Sequence, residues 1–292
     1  TLSPSSAASD VYKRQPKWDT FAGAEYNYDF FEVMPDRKCI ELGSVINLGQ
    51  KFAKAFDIKY QKPDGSYEYV YQTCYGVSER LVGVMISVHG DDRGVMFPTH
   101  IAPIQIVIIP IPYKGYEKVV FEKSKKIFSM LKEKKYRVHI DETEKTPGEK
   151  YYYWELKGVP IRIEIGPRDV ENGTVTISRR DTLERYVVKD NEMLNKIEQL
   201  MTEINENLRK RAWEWLKKNI HEASSIEDAK RIYEERRGII KLAWCGSDEC
   251  GLKIEEETGL EGLGHDPEEK CDGKCVVCGK DARWYFYIGK RY

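Results

Sequence analysis

Apolar and polar positions along the chain change their period twice, and each change predicts a different kind of structure. From Pro16 to Ile101, β-rich runs alternate with turn residues. The aromatic segment 25–33 ends at Pro35-Asp36, a Gly-punctuated stretch follows at Glu41–Ser44, and Leu48 to Phe56 has a short helical spacing. The turn Lys62-Pro63-Asp64-Gly65-Ser66 separates two further β-rich runs and predicts a hairpin. Segment 78–89 carries Leu81, Val82, Val84, Met85, Ile86 and Val88, the composition of an apolar helix packed on a sheet.

At Ala102-Pro103 the period changes. Ile104 to Ile111 is a continuous apolar run, as expected of a strand buried on both faces. Segment 115–136 places Val119, Val120, Ile127, Met130 and Leu131 near helical spacing, with lysines on the other side. A short strand at 137–140, a helix at 151–156 and strands at 161–165 and 174–178 complete an α/β domain over 102–190. The second change opens a long helix through Leu194, Ile197, Met201, Ile204, Leu208 and Trp215, with Asp190 as its expected cap. A further helix is expected from Ser224, with Glu227 at capping-box spacing, to Gly238. The alternation in Trp284–Ile288 predicts a closing strand, and no internal repeat is found.

Length and composition refine this picture. At 292 residues the chain is long for one domain. Its 47 basic and 48 acidic residues cancel, so nucleic-acid contact has to be local rather than driven by bulk charge. No apolar run approaches the 18 or so residues needed to span a bilayer, so a soluble, cytoplasmic protein without a membrane partner is expected. Residues 1–15 (TLSPSSAASDVYKRQ) show no periodicity and no signal-peptide features; they resemble translated adapter sequence, the alternative being a disordered natural tail.

Two motifs carry candidate chemistry. Cys245-x4-Cys250 is followed after 24 residues by Cys275-x2-Cys278. Two close pairs can supply four thiolates to a tetrahedral Zn²⁺ with no open position, so a structural site is expected, with Cys271 and His265 as competing ligands. The second motif, Gln72 to Arg80, reads as a small-residue turn into an apolar helix. It can offer hydroxyls, backbone amides and the Arg80 guanidinium to phosphate.

The runs Lys17–Tyr26, Gly43–Gln50, Tyr75–Arg80, His89–Asp92, Lys157–Pro160 and Gly166–Asp169, with the cysteine-rich end, resemble prolyl-tRNA synthetases of the archaeal and eukaryotic type, which are class II enzymes. The resemblance covers everything after residue 15. It implies an α/β and α+β multidomain fold: the C-terminal part of an antiparallel-sheet catalytic domain (16–101), an α/β anticodon-binding domain (102–190), and a helical linker with a zinc-binding α+β domain (191–292). It also implies ATP-dependent activation of L-proline to prolyl-adenylate and transfer to tRNA(Pro), with Mg²⁺ and a homodimer at full length. Arg80 matches the arginine of the third class II motif, on the ATP phosphates; Glu41 and Ser78 match ATP-contacting positions. Phe21, Ser44, Ile46 and Gly76 match the proline pocket, and Ile46 stands where many relatives have a hydrogen-bonding histidine. Glu164 and Arg168 lie on the stretch expected to face the anticodon, with Arg179 and Arg180 behind them. Tyr292 is expected to bring the terminal carboxylate toward the active-site region. Without the first two class II motifs, these 292 residues are not expected to aminoacylate alone. The rival reading is a non-catalytic RNA-binding module derived from a synthetase.

Overall fold

A computed structural model describes residues 11–292. They fall into two compact units, one of residues 85–212 and one of residues 11–84 with Trp213–Tyr292.

The chain opens on an antiparallel meander: β1 (Val11–Arg14), β2 (Tyr26–Val33) and β3 (Cys39–Gly49). β1 lies inside the stretch read as a leader, and the first ten residues of that stretch lie outside the described residues. Gln15, buried just after β1, donates from Nε2 to the Leu263 carbonyl at 2.8 Å. The Glu41–Ser44 stretch is continuous strand rather than a break. Its glycine answers to a close approach, since a Cβ on Gly43 would lie 2.3 Å from the Gly76 carbonyl oxygen. Helix α1 (Lys51–Ala55) is shorter than its apolar spacing predicts, because Leu48 and Gly49 finish β3. The expected hairpin forms from β4 (Lys59–Gln61) and β5 (Tyr67–Tyr69). The run before Arg80, read as a turn, is the edge strand β6 (Gln72–Val77) on β3, followed by α2 (Arg80–His89).

The unit of residues 85–212 holds β7 (Ile106–Pro110), α3 (Glu117–Glu133), β8 (Val138–Ile140), α4 (Pro147–Leu156), β9 (Ile161–Ile165), α5 (Pro167–Asn172), β10 (Thr174–Arg179) and β11 (Arg185–Lys189). The sheet order is β11-β10-β9-β7-β8, with β7 central and parallel to both neighbours. Ile106 and Ile108 pack among residues of α3 and α6 (Met193–Lys218), whereas Val107 and Ile109 pack against Trp154 of α4. Both faces of β7 are covered, which is why its sequence is apolar without alternation. Asp190 does not cap α6; the helix begins at Met193, and Asp190 pairs with Lys123 at 2.8 Å.

The chain then adds β12 (Ile220–Ala223), α7 (Ile226–Arg236), β13 (Ile239–Trp244), α8 (Asp248–Thr258), β14 (Glu261–Lys270) and β15 (Trp284–Gly289). The cap of α7 is Ser225, one residue after the expected position, and its hydroxyl accepts from the Asp228 amide. These strands share one eight-stranded sheet with β1, β2, β3 and β6, in the order β12-β13-β15-β14-β1-β2-β3-β6. The segments 16–101 and 191–292, expected from the resemblance to lie in separate domains, thus contribute residues 16–84 and 213–292 to one body joined through β1. Trp18 helps to close it: its ring meets Trp244 and Phe286 edge-on and its Nε1 donates to Glu255. Tyr292 pairs its amide with the Cys39 carbonyl, two residues from Glu41 on β3. Among the described residues no helix is long and apolar enough to cross a membrane.

Candidate active site and metal centre

Strands β3 and β6 and the start of α2 line an open cleft of about 310 Å³ that gathers Glu41, Ser44, Ile46, Gly76, Ser78 and Arg80. Cross-strand register sets its floor. Ser44 faces Gly76 and Ile46 faces Cys74, so these four positions point to one face. Glu41 is an odd number of residues from Ser44 and belongs on the opposite face of a regular strand. A bulge opposite Phe30 and Phe31 inserts one residue and returns it to the same face, where Ser44 Oγ donates to Glu41 Oε1 at 3.0 Å. Arg80 donates from its guanidinium to the Glu41 carbonyl at 3.0 Å, and its amide donates to Ser78 Oγ at 3.3 Å. A Cβ on Gly76 would meet no protein atom, so this glycine keeps the cleft open rather than satisfying packing.

Phe21 is not among the cleft-lining residues, and half of its surface is exposed. It is tied to the floor through its backbone: the Phe21 amide donates to Asn27 Oδ1 at 3.2 Å, and Asn27 Nδ2 donates to Asp29 Oδ1 at 2.8 Å. Register places Asp29 opposite Ser44 and Asn27 opposite Ile46. Burial raises the Asp29 carboxyl above its ordinary range; the Glu41 carboxylate adds to the shift, and hydrogen bonds with Asn27 and Ser44 offset it only in part. Asn27 and Asp29 did not stand out in the sequence. They could have been found only as polar residues on a strand whose other inward positions are apolar.

The metal-ligand spacing closes into a cluster. The sulfurs of Cys245, Cys250, Cys275 and Cys278 all lie within 4.8 Å of one another, and those of Cys245 and Cys278 are 3.8 Å apart. Four sulfurs placed tetrahedrally at about 2.3 Å from a zinc ion are about 3.8 Å apart, so the set fits such an ion. Burial pushes the Cys275 thiol up, but amides of Cys278, Val277 and Cys245 outweigh it and bring the thiol down to about 7, favouring the thiolate. Cys271 is buried outside this cluster, beside Tyr285. His265 is outside it as well, with ring centroids 4.5 Å from Trp284 and 5.6 Å from Trp244.

In the α/β unit, Glu164 and Arg168 have opposite surroundings. Glu164 is on the β9 face that packs toward α4 and is buried. It accepts from Tyr151 Oη, Arg162 Nε and Ser178 Oγ, each at 3.0 Å, and from Arg185. Arg168, in the first turn of α5, is exposed and has no hydrogen bond or ion pair among the described residues. Arg179 and Arg180 are buried in ion pairs: Arg179 with Asp181 at 2.7 Å and Glu203 at 2.8 Å, Arg180 with Asp91 at 2.5 Å. Their charge is spent on the fold and is not presented to a ligand.

Three family models match the chain: "tRNA synthetase class II core domain (G, H, P, S and T)" over residues 6–89, "Anticodon binding domain" over 105–200, and "Prolyl-tRNA synthetase, C-terminal" over 226–292. Proteins named "Proline--tRNA ligase" from Pyrococcus abyssi and Saccharolobus islandicus are 46% and 48% identical over 291 and 286 residues, covering 98% and 97% of this chain. The alignments take in 61% and 60% of those proteins, so the chain spans about three fifths of the length of these relatives. A solved structure of Giardia lamblia prolyl-tRNA synthetase in complex with prolyl-adenylate superposes with a TM-score of 0.92 at 30% identity, over 98% of this chain and 63% of that one.

Proposed function

Because the chain belongs to the prolyl-tRNA synthetase family, we propose that the protein carrying it activates L-proline with ATP and transfers the prolyl group to tRNA(Pro). The observation that carries this reading is the single cleft in which Glu41, Ser44, Ile46, Gly76, Ser78 and Arg80 meet. In the first step the proline carboxylate attacks the α-phosphate of ATP, giving prolyl-adenylate and pyrophosphate. In the second, a hydroxyl of the terminal adenosine of the tRNA attacks the prolyl carbonyl and AMP leaves. Both steps depend on positioning and on stabilising charge that builds up on phosphate oxygens. Arg80 is the cation of the cleft, and its bond to the Glu41 carbonyl orients the guanidinium toward that task. Gly76 leaves room for substrate, and Ile46 and Cys74 offer a wall of low polarity to a pyrrolidine ring. Mg²⁺ bound with ATP would add neutralisation of phosphate charge.

The four-cysteine cluster is assigned to a structural Zn²⁺, because four thiolates leave no coordination site for water. The α/β unit is assigned to the anticodon, with Arg168 as its available cation and Glu164 acting on strand geometry through its four donors. A homodimer at full length and a cytoplasmic location complete the proposal. The rival non-catalytic module would leave the assembled cleft without a use.

The test is ATP–pyrophosphate exchange by the gene product that contains these residues, with proline compared against alanine, cysteine and threonine. Exchange that depends on proline is the expected result. Exchange with another amino acid in its place, or none at all, would overturn the assignment.

A further inference from the structure

The floor of the cleft extends one strand beyond its lining residues. On β2, Asn27 and Asp29 stand in register with Ile46 and Ser44 of β3, which in turn face Cys74 and Gly76 of β6. Two rows therefore cross the sheet on one face: Asn27-Ile46-Cys74 and Asp29-Ser44-Gly76. Asn27 and Asp29 are the buried ends of these rows, and both are polar. Burying a carboxylate and an amide beside a cleft is costly unless they hold something in place.

What they hold can be traced atom by atom. Asn27 receives the Phe21 amide and donates to Asp29. Ser44 lies between two carboxylates, Asp29 across the strand pair and Glu41 along its own strand. A serine hydroxyl has one proton to donate and two lone pairs with which to accept. Donating that proton to Glu41 turns its lone pairs elsewhere, and a hydroxyl that donates to a carboxylate becomes a stronger acceptor. Proline has a secondary ammonium with two N–H donors, and Ile46 can accept neither.

We propose that Asp29 is a positioning residue of the amino-acid pocket, which acts with Glu41 to hold the Ser44 hydroxyl as an acceptor for the prolyl ammonium and acts through Asn27 to tie down the Phe21 backbone. This rests on the proposed function for its substrate. Its structural half, the link from Asp29 to Phe21, does not.

The experiment therefore has two readouts on the same gene product. In ATP–pyrophosphate exchange, Asp29→Ala raises KM for proline about tenfold, the effect of losing one strong hydrogen bond, and leaves KM for ATP within about twofold. Asp29→Asn, which keeps an acceptor for Asn27, recovers most of the loss. In a Ser44→Ala background, Asp29→Ala raises KM for proline by less than it does alone, because one of the two groups through which it acts is gone. Independently of turnover, amide hydrogen exchange at Phe21 speeds up in Asp29→Ala and not in Ser44→Ala. Lack of proline-dependent exchange in the unsubstituted protein would overturn the proposed function and the ammonium role with it. Equal changes in both KM values, additive effects of the two substitutions, or unchanged Phe21 protection would overturn the positioning role itself. If Asp29→Ala fails to fold, Asn27→Ala, which cuts the same link from its other end, still decides the question: unchanged Phe21 protection there overturns the positioning role.

Discussion

Two glycines on neighbouring strands do opposite things. A methyl group on Gly43 would overlap the Gly76 backbone, so Gly43→Ala has to push β3 and β6 apart. It should cost about 1–3 kcal/mol, read by urea unfolding. Gly76 faces open cleft, so Gly76→Ala should leave stability within about 0.5 kcal/mol, whereas Gly76→Leu fills the cleft and should cut proline-dependent exchange at least about tenfold without lowering the unfolding midpoint. His265 offers a second test at this scale. Burial, reinforced by Arg14 and Lys13, pushes it down to about 4, and its Nδ1 is buried without a partner among the described residues. The folded state holds it neutral while the unfolded chain takes up a proton near pH 6.5, so the unfolded state binds more protons between those values. Stability from this group is complete above about pH 6.5 and falls as pH drops toward 4. His265→Phe, which keeps the ring between Trp244 and Trp284, should flatten that part of the stability profile, measured by denaturant unfolding at stepped pH.

The elements show how far periodicity reaches. It located the hairpin, the central apolar strand, the long helix and the closing strand, because each buries a face wide enough to impose its period on the sequence. It misplaced ends, where local hydrogen bonds decide. Ser225 caps α7, and Ser224 instead donates to the Asp228 carboxylate at 3.1 Å. Ser225→Ala should therefore destabilise by about 1 kcal/mol, and Ser224→Ala by less, in thermal unfolding. The bulge in β3 was equally invisible. Nothing in Glu41-Leu42-Gly43-Ser44 announces an extra residue, yet without it Glu41 would point away from Ser44. The buried state of Glu164 was also missed, since Ile161, Ile163 and Ile165 alternate as they would on a strand with one wet face. Only α4 packed on the other face, with Tyr151 reaching across, shows that both are dry.

For the molecule as a whole, the sheet shared by the two ends of the chain sets the expected response to metal loss. The cysteine cluster is carried by the residue after β13, the first turn of α8 and the loop before β15, and β13 and β15 lie in one sheet with β14, β1 and the cleft strands. Purified protein should hold one zinc per chain; Cys271→Ser should keep it, and Cys250→Ser should lose it. Chelation should then speed amide exchange in residues 213–292 and in β1–β3, while β7, β9 and β10 keep their protection, because they form a separate unit. Zinc retained in Cys250→Ser, or protection lost evenly over both units, would contradict this arrangement.

The sequence by itself determined the elements whose buried faces repeat, the four thiols whose spacing suits one ion, and Glu41, Ser44, Ile46, Gly76, Ser78 and Arg80 as candidates that meet in one cleft. Those are local properties, set by the period of the backbone and by short loops that bring close cysteines together. Tertiary structure decided the rest. It chose the cysteine cluster over Cys271 and His265, brought Asn27 and Asp29 beneath the cleft, turned Glu41 to the face of Ser44, spent Arg179 and Arg180 on ion pairs, and joined the first and last strands in one sheet. Each of these depends on register or packing between segments far apart in the chain. A shift of one residue reverses which face a side chain occupies, and no local pattern records that choice.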